Sequence, residues 1–205
     1  MFALVESGSI TKMLSGNRGI TIDGIQHPRA IYTLWTEAER NAIGIYEVTI
    51  DTSKRKDEKW YINTNESYSF ADNKVTRSWG TATAKAHADT LYTSQDNTDG
   101  LIPDGKSVGD VSVKGLKTQL IETLKSQVAG ILSNTDWYIT RNAEKSTAIP
   151  SSISTYRDSV RTKQANMETQ ITNASNTPAL ETLYTYTTTD GVQSRPLGEL
   201  PTLES

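Results

Sequence analysis

Val113-Lys-Gly-Leu116-Lys-Thr-Gln-Leu120-Ile121-Glu-Thr-Leu124-Lys-Ser-Gln-Val128-Ala-Gly-Ile131-Leu132 is where the chain changes its period. Val113, Leu116, Leu120, Leu124, Val128 and Ile131 recur at steps of three and four, which places them on one face of an α-helix. Ile121 and Leu132 widen that stripe. Residues 1–80 read instead as short runs with strand character, divided by turn residues. Strands followed by helices predict an α+β fold: a small N-terminal antiparallel β domain, then a C-terminal antiparallel helical hairpin or bundle.

Beyond Leu132 the helical pattern restarts three times. A second helix is expected near Asp136, an acceptable N-cap, and carries Trp137-Tyr138-Ile139. Pro150 suits the first position of a third, whose stripe is Ile153, Tyr156, Val160, Met167, Ile171 and Ala174. Thr177-Pro178 opens a fourth through Leu180, Leu183 and Tyr184. From Thr187 to Ser205 the chain contains Asp190-Gly191, Pro196 and Pro201 and reads as an irregular tail. The stripes hold roughly two apolar positions in seven, a narrow seam. Two arrangements fit it: a bundle closed within the chain, or helices that bundle with copies of themselves.

Toward the N-terminus, Phe2–Glu6 and Ser9–Leu14 flank Ser7-Gly8, a hairpin signal, and Asp23-Gly24 is a second turn. Ile31–Trp35 reads as a strand. Thr36-Glu-Ala-Glu39 has the form of a capping box, and Gly44 suits the C′ position of the short helix it starts. Ile45–Asp51, Glu58–Thr64, Ser67–Ala71 and Lys74–Trp79 are expected strands, with turns at Asn65-Glu66 and Asp72-Asn73. Residues 81–92 are Ala-rich and suggest a short helix, and 93–110 a long polar loop. The expected organisation is therefore a β-rich docking domain at 1–80, a linker at 81–112, a helical domain at 113–186 and a tail at 187–205.

Composition narrows the function. Of 205 residues only 35% are hydrophobic, and mean hydropathy is −0.52. That suggests two small cores, or a shape that buries itself partly against other subunits. Net charge is −3, which gives no electrostatic case for nucleic acid or an anionic membrane. The absence of cysteine removes disulfides, thiolate zinc sites and cysteine nucleophiles. No signal peptide and no apolar run long enough for membrane insertion are read, so synthesis in the cytoplasm is expected.

A search for chemistry yields little. The two histidines, His27 and His87, have no nucleophile-elbow serine beside them. Gln95–Gly100 begins like an EF-hand loop, but Gln95 stands where an aspartate is needed and Lys106 where a bidentate glutamate is needed. Gly100-Leu-Ile-Pro-Asp-Gly105-Lys106-Ser107 satisfies the phosphate-loop pattern literally. The polar run before it cannot be a buried strand, and Pro103 interrupts the N–H cradle. Lys54-Arg55-Lys56 is offset by Asp51, Asp57 and Glu58 and reads as a solvated turn. Trp35, Trp60, Trp79 and Trp137 are expected as core aromatics, with sugar stacking the alternative. No catalytic residue, cofactor or metal is expected.

The most specific segment is Gln127-Val-Ala-Gly-Ile-Leu-Ser-Asn-Thr135-Asp136-Trp137-Tyr138, followed by Ile149-Pro150, Tyr156-Arg157 and Val160-Arg161. An apolar helix ending in T-D-W, a variable stretch, then a Y-R-x-x-hydrophobic-R helix resembles the C-terminal region of bacteriophage tail-fibre assembly and tail assembly chaperone proteins. Ala3-Leu-Val-Glu-Ser-Gly-Ser-Ile10, Trp35-Thr36, Glu39 and Gly44-Ile-Tyr-Glu-Val48 are similar to marine phage tail proteins. The C-terminal likeness covers about a fifth of the chain. The chain departs from the pattern in its long β region and in the tail after the helices.

The resemblance implies a non-enzymatic virion component of the tail, made in the host cytoplasm. It would bind other tail or fibre proteins and form a homo-oligomer, with Asp136, Trp137, Tyr156, Arg157 and Arg161 as family-motif or partner-binding residues. A transient fibre-assembly chaperone, and a glycan-binding or glycan-cleaving tail protein, are the alternatives. On the residues alone, Trp137 can anchor one helix against the next, and Arg157 and Arg161 can pair with Asp136 or Glu144.

Overall fold

The computed structural model describes residues 1–203. It has the α+β class that the change of period predicts, in two compact units that divide between Thr83 and Ala84. Most of the expected linker at 81–112 therefore folds with the second unit.

In the first unit, β1 (Phe2–Glu6) and β2 (Ser9–Leu14) form a hairpin through Ser7-Gly8. Both turn residues have positive φ, 50° and 76°, the type I′ geometry that suits the twist of the strands. β3 (Ile20–Ile22) and β4 (Ile25–His27) repeat the device at Asp23-Gly24. Ile31–Trp35 is not the expected strand. Ile31–Leu34 is one helical turn, α1, in which the Leu34 N–H reaches the Ala30 carbonyl at 2.8 Å. Ile31 and Tyr32 are consecutive yet pack into the same core cluster, whereas strand alternation would send them to opposite faces.

α2 (Glu37–Ala42) has the full capping box, Thr36 with Glu39, and ends before Gly44 at φ 77°. β5 (Ile45–Ile50) follows. The strand expected at Glu58–Thr64 shrinks to β6 (Tyr61–Ile62), because the Asp57 carbonyl accepts from both the Trp60 and Tyr61 N–H groups and turns the chain. β7 (Ser67–Ala71) and β8 (Lys74–Ser78) join through Asp72-Asn73, again with both φ positive. The main sheet runs β2-β1-β5-β8-β7. It is mixed rather than wholly antiparallel, since β5 and β8 pair in parallel, Val48 opposite Val75. β2 also touches β7, so the sheet curls toward closure.

Both faces of β1 are covered, which is why its sequence is a continuous apolar run. Leu4 joins Leu14, Ile20, Ile22, Ile31, Tyr32 and Ile45 on one side. Ala3 and Val5 join Val75 on the other, flanked by Tyr46, Val48 and Phe70.

The Ala-rich stretch at 81–92, which spans the division between the units, is not a helix. It holds β9 (Thr83–Ala84), an extended run and β10 (Thr90–Leu91). Its polar groups serve the start of α4 (Leu116–Ser133) instead. The Ala86 and His87 carbonyls accept the Leu116 and Lys117 N–H groups, and Asp89 accepts from the Gly115 N–H at 2.7 Å and the Thr118 hydroxyl at 2.8 Å. Those donors are the ones a helix start leaves unpaired, so this segment acts as a remote cap. The polar loop contains α3 (Ser94–Thr98), with its own capping box from Thr93 and Asp96, before β11 (Val111–Val113) pairs with β10. Val113, expected in the helical stripe, is therefore in a strand and 65% exposed.

α4 buries Leu116, Leu120, Leu124 and Val128, as its stripe predicts. α5 (Asp136–Lys145) and α6 (Ser151–Asn173) follow, with Pro150 at the N-cap of α6 rather than inside it. Lys117, at the start of α4, donates to the Thr172 carbonyl near the end of α6, while Arg157, near the start of α6, reaches the end of α4. The two long helices are thus antiparallel. α7 (Thr177–Tyr184), capped by Asn176, packs on α6.

The expected irregular tail has order: β12 (Thr187–Thr189) and β13 (Val192–Ser194) form a hairpin at Asp190-Gly191, and Leu197 is almost wholly buried. The last two residues of that expected tail lie outside the described ones.

Candidate functional site

The α4–α5–α6 corner gathers the motif residues. α4 ends at Ser133, and only Asn134-Thr135 separates it from α5. Such a turn leaves carbonyls at the end of α4 without partners. Arg157 comes across from the first turns of α6 and supplies donors. Its Nη1 lies 2.8 Å from the Leu132 carbonyl, 2.6 Å from the Thr135 hydroxyl and 2.9 Å from the Asp136 carboxylate. The Thr135 hydroxyl in turn donates to the Leu132 carbonyl at 3.0 Å. Arg157 and Thr135 are buried, while the Asp136 side chain is 59% exposed.

Asp136 does not cap α5. Thr135 holds the N-cap position, and Asp136 is the first helical residue, its carboxylate turned to Arg157. There it also favours the positive end of the α5 dipole.

The five motif residues divide. Asp136 and Arg157 meet as an ion pair. Tyr156 is half-buried beside Ile131, Asn134 and Thr135, where it lines a groove of about 310 Å³ with Leu200, Pro201 and Leu203. Arg161 lies on the exposed side of α6 and pairs with Asp158, one turn back, at 3.3 Å. It reaches neither Asp136 nor Glu144.

Trp137 does not anchor one helix against another. It is 52% exposed, and α5 buries none of its side chains. Its indole stacks on Tyr138, ring centres 4.1 Å apart, and the Arg141 guanidinium sits over it at 4.6 Å. Residues four apart share a helix face, so the Trp137–Arg141 spacing was a legible signal for this grouping. Thr135 gave none, since its burial depends on the guanidinium that crosses from α6. Of the other tryptophans, Trp60 and Trp79 are core residues as expected, and Trp35 is half-buried with His27 edge-on to its ring at 5.7 Å.

The motifs that suggested chemistry take other roles. The glycine-lysine-serine loop follows helix α3 rather than a strand, and its N–H groups bind its own chain: Leu101 to the Asp96 carbonyl, Lys106 to the Pro103 carbonyl, Ser107 to the Asp110 carboxylate. They cannot also cradle a phosphate. Asp96, the central carboxylate of the EF-hand-like run, is held by the Thr93 N–H and hydroxyl, which keep it below the ordinary carboxylate range. Arg55 in the basic turn pairs with Glu58 at 2.6 Å.

Among the described residues no group of three histidine or carboxylate side chains has a metal-site arrangement, and no helix is long and apolar enough to cross a membrane. The α4–α5–α6 corner is a clamped turn followed by an exposed Trp137 stacked with half-buried Tyr138 and Arg141. Comparison with family models, with curated proteins and with solved structures finds no match to this chain.

Proposed function

We propose that this protein is a non-enzymatic bacteriophage tail component, a tail or tail-fibre-associated subunit that works by contact with other proteins. The observation that carries the contact role is α5. A helix that buries none of its side chains, yet groups Trp137, Tyr138 and Arg141 on its surface, presents the three residue types most enriched among binding anchors. The T-D-W and Y-R-x-x-hydrophobic-R resemblance supplies the setting. In this fold two of its residues, Asp136 and Arg157, build the turn that presents the aromatic pair, which gives the motif a physical reason.

Mass spectrometry of purified particles tests the setting. Peptides of this chain at a stoichiometry comparable to other tail subunits are the expected result. Abundance in infected-cell lysate with absence from mature particles would overturn the virion assignment in favour of an assembly chaperone.

A further inference from the structure

The excursion between β10 and β11 is ordered without a core. None of residues 90–114 is buried. The shape is held by polar bonds instead: Tyr92 N–H to the Asp110 carbonyl at 2.9 Å, Gly109 N–H to the Tyr92 carbonyl at 2.9 Å, and the Thr93–Asp96 capping box. On this frame Leu91, Leu101, Val108, Val111 and Val113 are 37–65% exposed. Leu91 and Val111 are cross-strand partners, and with Leu101, Val108 and Val113 they put five exposed aliphatic side chains into 23 residues of a surface segment.

The same segment is acidic. Over residues 90–113, Asp96, Asp99, Asp104 and Asp110 against Lys106 leave three net negative charges, and Lys114 just beyond pairs with Glu122. Asp96 and Asp110 are engaged by the loop's own N–H groups, and Asp99 by Gln95. Asp104, in the turn that Pro103 and Lys106 close, has no hydrogen bond or ion pair among the described residues.

The first unit carries a complementary surface. A groove of about 460 Å³ runs along residues 12–21, with Lys12, Met13, Asn17 and Arg18 on its walls and Tyr32 beneath. No carboxylate lines it, and among the described residues neither Lys12 nor Arg18 has an ion-pair partner. Met13 is 38% exposed.

We propose that the 90–113 loop of one copy docks in the Lys12–Arg18 groove of a second copy. The aliphatic side chains Leu101 and Val108 cover Met13, and Asp104 meets Lys12 and Arg18. Loop and groove are different surfaces, so two copies that meet through one loop and one groove can close a reciprocal dimer through the other pair or continue into a ring or string of subunits. The charges are exposed and few, so the contact is salt-sensitive. It concerns the purified chain and stands apart from the tail setting, so either can fail alone.

Sedimentation velocity of the full chain tests it. In about 0.1 M salt the average mass rises with concentration. In about 1 M salt, where the screening length falls from about 10 Å to about 3 Å, association weakens at least about tenfold. A loop variant, Leu101→Ser with Asp104→Asn, and a groove variant, Lys12→Gln with Arg18→Gln, each stay monomeric. All four positions are exposed or line an open groove, so the variants keep the far-UV circular dichroism of the parent. Mixed, the two variants form a 1:1 pair and nothing larger, because only one intact loop and one intact groove meet. A chain that is monomeric at every concentration in low salt overturns the proposal. So does association indifferent to salt, a variant that still assembles alone, or a mixture that stays monomeric.

Discussion

At the residue scale, Arg157 and Arg161 show how much a shared motif conceals. They lie one turn apart on α6, yet Arg157 is buried among three acceptors and Arg161 pairs with exposed Asp158. Replacing Arg157 by Leu takes away the donor to the buried Thr135 hydroxyl and the ion-pair partner of Asp136, while the Leu132 carbonyl keeps the Thr135 N–H and hydroxyl. The expected cost is about 1–3 kcal/mol, read from the denaturant midpoint. Arg161→Ala is expected to change stability by less than about 0.5 kcal/mol in the same measurement.

Two glycines make a second contrast. A Cβ on Gly115 would fall inside the Ala88 carbonyl, where the remote cap crosses α4, so Gly115→Ala is expected to cost at least about 2 kcal/mol. A Cβ on Gly130 meets nothing, and the residue is well inside α4, so Gly130→Ala is expected to stabilise by about 0.5–1 kcal/mol. Thermal unfolding of the two variants checks both signs. The sequence made some residues legible, Thr36 and Glu39 above all, because a capping box is complete within four residues. It could not show that Arg157 is buried or that Gly115 is crowded, since the causes are Leu132 and Ala88, 25 and 27 residues away.

At the element scale, turn signals succeeded and overall composition misled. The hairpins at Ser7-Gly8, Asp23-Gly24 and Asp72-Asn73 were readable because a type I′ turn needs two positive φ angles, which few residue pairs supply. Residues 81–92 misled, since their Ala content favours a helix while their carbonyls are committed to the α4 N-terminus. The tail misled in the opposite sense: Asp190-Gly191 signalled a turn, but the threonines and Val192 around it pair with little burial. α5 is expected to contribute little to stability. Trp137→Ala should cost under about 1 kcal/mol, against about 3–5 for Trp60→Ala, whose side chain is buried in the first unit.

The two capping boxes add a pH dependence. Hydrogen bonds from the Thr36 and Thr93 backbone N–H groups, then from their hydroxyls, hold Glu39 and Asp96 below the ordinary carboxylate range. A folded-state value below the unfolded one means that the contribution is present above the ordinary carboxylate range. It is lost as pH falls through the depressed values. The Thr36 and Thr93 amide resonances should titrate with midpoints below those of peptide carboxylates, and Glu39→Gln and Asp96→Asn should abolish those transitions.

At the scale of the whole molecule, the α+β class and the change of character after the polar loop were legible, because periodicity reports which faces are buried. The parallel pairing of β5 with β8 was not, because strand order is settled by packing between segments far apart in the sequence. That pairing has a consequence in time. The β1–β2 and β7–β8 hairpins close over two-residue turns and can form within microseconds. Bringing Val48 beside Val75 must close everything between them, and it gains nothing until β8 has left the ribosome. The N-terminal unit therefore waits, half of its sheet made and the inner face of Ala3 and Val5 open, for the one step that joins its two halves. Substitutions at Val48 or Val75 should slow refolding, while substitutions in β3–β4 should chiefly speed unfolding.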